Sequence, residues 1–214
     1  MRAFLIALGA LVALSTSFYA QTPAGKALDV YFVDVEGGHA TLYVSPSGES
    51  MLVDAGYAGF DGRDAGRIAA VAALAGVRQI DYLVVTHFHG DHIGGVPELA
   101  ARLPIRNFVD HGESSESDER RRVVFNTYVQ ERSKGTHILA KAGDQIPIAG
   151  LDVRVLSSGA GLISVPLEGG GIPNPLCASF TPVEDETSED AYSVGTLVTH
   201  GEFRLVNLGD LSWN

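Results

Sequence analysis

Between Thr86 and Gly95 the chain reads Thr-His-Phe-His-Gly-Asp-His-Ile-Gly-Gly, which puts three of its seven histidines and an aspartate within six residues. Histidines two apart in extended backbone point to the same side, so His87 and His89 can offer ring nitrogens to one cation. Asp91 and His92 follow at once, and a turn at Gly90 directs them to a second position nearby. Imidazole mixed with carboxylate suits zinc best, with manganese or iron also compatible. Two such ions about 3.5 to 4 Å apart would strip a proton from a bridging water near neutral pH and turn it into a nucleophile. In that chemistry Asp91 and His92 are the candidate catalytic residues. The bland alternative is a histidine-rich surface loop, which a cluster at the end of a buried strand disfavours.

A strand must lead into that loop and a helix must leave it. Ile80 to Val85 is a compact apolar strand ending in Thr86, and Val96 to Leu103 reads as a short helix stopped by Pro104. Gly94 and Gly95 carry no side chains to obstruct the close start of that helix. Upstream, strands are expected at Leu28 to Val35, Thr41 to Val44 and Ser50 to Val53, separated by turns at Gly37-Gly38 and Pro46 to Gly48. Ile68, Val71, Ala72 and Ala75 fall at helical spacing between Asp61 and Gly76. Arg106 to Asp110 closes a strand-loop-helix-strand unit, and Ser117 to Ser133 is a second, charged helix. Strand-like runs follow at His137 to Ala140, Gln145 to Ile148 and Asp152 to Leu156.

Ser157 to Glu189 is rich in Gly, Pro, Ser and acid and has no period; so long a loop in a compact domain is usually functional or disordered. Tyr192 to Thr199 and Phe203 to Leu208 then form a hairpin about His200-Gly201, just before Gly209-Asp210. The whole pattern predicts an α/β domain, two mixed β-sheets packed face to face with helices outside.

The segment from His87 to His92 resembles the HxHxDH signature of the metallo-β-lactamase superfamily. That resemblance implies an αββα sandwich and assigns roles to further residues. Asp54-Ala55-Gly56 is similar to an early strand-end aspartate that orients the metal loop by hydrogen bonds, against the simpler reading of a turn-forming residue. Gly209-Asp210 stands where the superfamily places a carboxylate bridging two cations. The resemblance therefore gives the first ion to His87, His89 and Asp210, and the second to Asp91, His92 and Asp210. Asp34-Val35-Glu36-Gly37-Gly38-His39-Ala40 resembles the opening turn of the branch that includes the DNA-uptake competence nuclease domain, with His39 a polar turn residue rather than a ligand.

Two departures qualify it. Many relatives carry a ligand histidine after a strand like Asp152 to Leu156, whereas here Ser157 and Ser158 occupy the place. The first ion then has only His87, His89 and Asp210, or it recruits His111. Relatives also supply a last histidine beyond the Gly-Asp pair, so the domain, residues 25–214, is expected to lack its C-terminal part. The implied activity is a hydrolase using a metal-bridged hydroxide on an ester, amide or phosphodiester bond of a small-molecule or phosphodiester substrate. The alternative is a non-catalytic binding domain that keeps the fold.

A formal net charge of -11 argues against stable binding to nucleic acid or an anionic membrane, both of which need a basic surface. Arg2, the apolar run Ala3 to Leu14 and the small polar residues after it have the layout of a secretory signal peptide, taken as residues 1–24. The expected location is thus secreted or periplasmic, without membrane attachment once the signal is cut; an uncleaved anchor is the alternative. Cys177, the single cysteine, reads as a buried small hydrophobe. The acidic cluster Glu184, Asp185, Glu186, Glu189 and Asp190 reads as a solvated loop, and His137 and His200 as ordinary strand and turn residues.

Overall fold

The computed structural model describes residues 27–181, 184 and 187–212. The expected signal segment lies outside the described residues. Strands β1 (Asp29–Phe32), β2 (Thr41–Val44) and β3 (Ser50–Val53) form an antiparallel meander, followed by helix α1 (Arg63–Leu74) and the parallel strand β4 (Ile80–Val84). The short helices α2 (Gly90–Ile93) and α3 (Val96–Ala100) lead to β5 (Ile105–Asp110), and α4 (Glu119–Arg132) leads to β6 (Thr136–Leu139), both strands again parallel to their neighbours. This first sheet runs β1-β2-β3-β4-β5-β6. The second contains β7 (Gln145–Ile146), β8 (Asp152–Ser158), β9 (Gly161–Leu162), β10 (Gly195–His200) and β11 (Phe203–Asn207), ordered β11-β10-β8-β7 with β9 beside β8.

The α/β sandwich expected from the strand and helix pattern is what the chain forms. Alternation along the strands makes its two apolar layers, because successive side chains point to opposite faces. Leu42, Leu52 and Leu83 face the helices and pack with Ile68 and Ala72 of α1, Leu99 of α3, and Phe125 and Tyr128 of α4. Tyr43, Met51, Val53 and Val84 face the other way and pack against Ile146, Val153, Val155 and Val198 of the second sheet. The second sheet is antiparallel throughout its pairings, not mixed. Among the described residues the α-helices pack on the first sheet only, and none is long and apolar enough to cross a membrane.

Several boundaries differ from expectation for local reasons. β1 stops at Phe32 instead of Val35, because the chain turns through Glu36 in the left-handed region (φ 64°) and closes with a bond from Gly37 N to Val35 O of 2.9 Å. α4 begins at Glu119, one residue after Asp118, whose side chain caps it by accepting from the backbone N–H groups of Arg120 and Arg121. Cys177 is exposed in a 3₁₀ turn, Pro175–Ser179, so the expectation of burial is overturned: the excursion after β9 never returns this turn to a core.

The parallel strands β3, β4 and β5 all end at one edge of the first sheet, the usual place for a site in such an arrangement. Asp54, Thr86-His87 and His111 follow those ends. The loop from β4 is clamped there by backbone bonds: Ala55 N to His92 O at 2.7 Å, Gly95 N to Gly56 O at 2.9 Å and His39 N to Asp91 O at 3.2 Å. A Cβ on Gly95 would collide with the carbonyl oxygen of Ala55. Gly95→Ala is therefore expected to destabilise the fold by about 1–3 kcal/mol, the usual cost of overpacking a rigid contact. Urea unfolding reads this as a lower midpoint at unchanged slope; an unmoved midpoint would show slack in the clamp.

Candidate metal centre

Asp54 leaves the end of β3 with φ 58°, a backbone setting that aspartate tolerates better than most side chains. Its carboxylate is fully buried, and four donors from three segments converge on it. Oδ1 accepts from Thr86 N at 2.8 Å, while Oδ2 lies 2.7 Å from Thr86 Oγ1, 2.8 Å from His92 Nδ1 and 3.1 Å from His39 Nδ1. Burial pushes this carboxyl up, but the hydrogen bonds from His39 and His92 more than reverse it and hold it well below the usual carboxylate range. An ionised Asp54 fixes one proton of His92 on Nδ1 and turns Nε2 outward, as the nitrogen that would meet a cation.

That Nε2 lies 3.5 Å from Asp210 Oδ1 and 3.6 Å from Asp91 Oδ2. The other oxygen of Asp210, Oδ2, lies 4.0 Å from Nε2 of His87, which is wholly buried. His87 Nε2 in turn is 3.1 Å from His89 Nδ1. Tetrahedral coordination at the usual zinc distances sets ligand atoms about 3.4 Å apart, and these separations bracket that value. All five residues predicted to hold metal, His87, His89, Asp91, His92 and Asp210, are therefore brought to one place.

The electrostatics of the two histidine positions differ. Burial, with the charge of His92 added, drives His87 down to about 3, so it is neutral at ordinary pH and offers a lone pair. Burial also lowers His92, but the bond to Asp54 and the charges of Asp54, Asp91 and Asp210 outweigh it and push this imidazole up to about 9. A cation entering between His92 and Asp210 must displace that proton, which couples binding to proton release.

His89 is steered from behind: its Nε2 lies 2.8 Å from Glu116 Oε1, and Glu116 is in turn paired with Arg121. His39 does more than turn the chain, since it joins the Asp54 cluster and stacks on His92 with ring centroids 6.2 Å apart. Ser157 and Ser158 are backbone braces, donating to Ser193 O and Ala140 O at 2.9 and 2.8 Å.

His111 is not in the ligand group. Its Nε2 lies 2.9 Å from Glu189 Oε1, and its ring packs against Phe88 and Tyr192. Glu189 overturns the solvated-loop expectation: it is buried, and besides His111 it accepts from Phe88 N at 3.2 Å and from both N and Oγ of Ser115 at 2.7 Å. Burial raises this carboxyl, yet its bonds to His111 and Ser115 hold it down to about 2. Asp185 and Glu186 lie outside the described residues.

Asp190 was likewise missed. Its Oδ1 sits 3.0 Å from His89 Nδ1 and 3.3 Å from His87 Nε2. The signal available was position: Glu189-Asp190 stands directly before Tyr192-Ser193-Val194, at the entrance to β10, and β10 pairs with the end of β8 where the expected histidine is replaced by serine.

A family model described as the metallo-beta-lactamase superfamily matches residues 33–200. The hydroxyacylglutathione hydrolase of Stenotrophomonas maltophilia (strain R551-3) is 39% identical over 82 residues, spanning 37% of this chain and 32% of that protein. Among solved structures, the Cronobacter sakazakii metallo-beta-lactamase with a HARLDQ motif superposes with a TM-score of 0.50 at 15% identity, covering 83% of this chain and 54% of that one. The Rm3 metallo-beta-lactamase gives the same score and identity over 83% and 56% of the two chains. At such identity these structures speak for the fold alone. This chain spans about a third of the curated relative it matches and little more than half of the two solved structures.

Proposed function

Because the chain belongs to the metallo-beta-lactamase superfamily, we propose that it is a metal-dependent hydrolase. Two divalent ions, zinc by preference with manganese or iron as alternatives, would be held by His87, His89 and Asp210 on one side and Asp91, His92 and Asp210 on the other. The observation that carries this reading is how Asp210 divides its oxygens, Oδ2 at 4.0 Å from His87 Nε2 and Oδ1 at 3.5 Å from His92 Nε2. A carboxylate so placed offers one oxygen to each of two neighbouring cations and offsets their repulsion. The donor set fits: imidazole nitrogens and carboxylate oxygens at chelating separations.

Ions bound there supply a water that ionises near neutral pH and a Lewis acid for the scissile oxygen. The chain's own residues do the positioning. Asp54 and Thr86 lock His92, Glu116 locks His89, and burial keeps His87 unprotonated. Asp91, part exposed at the mouth of the site with Oδ2 3.6 Å from His92 Nε2, would take the proton released by the attacking water and pass it to the leaving group. The bond cleaved is an ester, amide or phosphodiester. The opening turn around Gly37-Gly38 favours a phosphodiester, and the hydroxyacylglutathione hydrolase relative favours an acyl bond. Residues 1–24 direct the protein out of the cytoplasm, and N-terminal sequencing of exported protein checks this.

The test is to load purified full chain with zinc, manganese or iron and assay a phosphodiester, a lactone, a β-lactam and hydroxyacylglutathione. Turnover of one class, abolished by a chelator and restored by metal, is expected. Bound metal with no turnover of any would replace the hydrolase by a binding domain on the same fold.

A further inference from the structure

Resting on the metal reading above, we infer that Asp190 is the protein ligand that completes the first ion, in the place that the superfamily resemblance gives to a histidine, and that Glu189 is the positioning residue that aims it.

His89 Nε2 lies between Glu116 Oε1, at 2.8 Å, and Arg121 Nη1, at 3.0 Å, and its Nδ1 is turned to the site as the nitrogen that would accept a cation. Thr86 Oγ1 donates to Asp54 Oδ2 at 2.7 Å, so it accepts from His87 Nδ1 at 3.1 Å, and His87 Nε2 is left as an acceptor too. Asp190 Oδ1 is an acceptor by nature. These three atoms face one another at 3.0, 3.1 and 3.3 Å. Asp190 Oδ1 is buried and takes part in no hydrogen bond. A buried carboxylate oxygen without a hydrogen bond costs free energy. A cation at the centre of the three atoms would remove that penalty.

Asp190 is also held where it is. Ser188 caps the turn by accepting from Asp190 N at 3.2 Å, and Val194 N bonds Thr86 O at 2.7 Å, laying the start of β10 along the metal loop. Glu189, the preceding residue, is tied to Phe88 N at 3.2 Å, the peptide between His87 and His89, and to His111 and Ser115 on the next loop. Asp190 thus cannot move relative to the two histidines without breaking a buried carboxylate network. His111 serves this network rather than the ion.

The test uses the full chain with Co²⁺ as a spectroscopic probe, metal content by mass spectrometry and dissociation constants by calorimetry. Two Co²⁺ per wild-type chain are expected. Asp190→Asn should lose one of them and change the ligand-field spectrum, and Asp190→His should restore both. Glu189→Gln should weaken that same ion by about 10–100-fold, the usual effect of a residue supporting a ligand, and leave the other ion's affinity alone. Both ions retained in Asp190→Asn with the wild-type spectrum and constants would overturn the assignment of Asp190 while leaving the metal reading intact. Unchanged affinity in Glu189→Gln would remove its positioning role. A wild-type chain that binds Co²⁺ no better than His87→Ala/His89→Ala would overturn both this inference and the metal reading beneath it.

Discussion

Replacing His87 and His89 together by alanine is expected to abolish hydrolysis and bound metal at the first position while leaving the fold assembled. The two rings supply the nitrogens on which that position depends, 3.1 Å apart. Without the ion, nothing would acidify the attacking water, so kcat/KM should fall on the order of a thousandfold or more. In metal-free protein the double variant should also lose some stability, because it removes the buried His87 ring and the contacts of the two rings with Thr86 and Glu116. The measurement is paired: metal per chain and kcat/KM on one preparation, with far-UV circular dichroism and the urea midpoint as controls. A variant that folds, keeps full metal and turns over substrate at the wild-type rate would refute the metal centre.

The second large effect is expected at Asp54. Asp54→Ala strands Thr86 N, Thr86 Oγ1, His92 Nδ1 and His39 Nδ1 at once, in a place with no exposure. Removing one partner of a buried ionic cluster typically costs about 3–5 kcal/mol. The same change frees the His92 ring, so affinity for the second ion should fall about 10–100-fold. Urea unfolding of metal-free protein isolates the first effect, and calorimetric titration of the folded fraction isolates the second. A loss of stability with no loss of affinity would make Asp54 a brace for the fold alone. Asp54→Asn separates charge from shape, because an amide can still accept at one atom but no longer neutralises His92.

Much of the fold was readable because the signals were local. The apolar run Ile80 to Val84 between Gly76 and Thr86, and the glycine pair after His92, announce a strand, a loop and a tightly seated helix within a few residues. The candidate ligands of that loop could be named for the same reason. Asp210 was legible only through its place after a hairpin strand. Asp190 and Glu189 were not legible, because what makes them special is distant in sequence: Glu189 is 101 residues from Phe88 and 78 from His111, the two partners that bury it. In one dimension a carboxylate pair beside other acids and serines looks like a solvated loop. His39 escaped for a similar reason, since a histidine in a glycine turn gives no hint of Asp54. Cys177 was misplaced because composition speaks for burial on average, and nothing in Pro175 to Ser179 shows that the segment lies away from both apolar layers.

The ligands do not come from one sheet. Residues 87 to 92 hang from the end of β4 in the first, whereas Asp190 enters and Asp210 leaves the β10–β11 hairpin of the second. Ions held as proposed would clasp the sandwich along its open seam, a brace that one cysteine cannot provide covalently. Free metal at a hundred times its dissociation constant would add about 2.7 kcal/mol to the folded state. Starved of metal, the protein should first gape where β10 meets the histidine loop, so the proposed metal centre would also keep the two halves of the molecule shut.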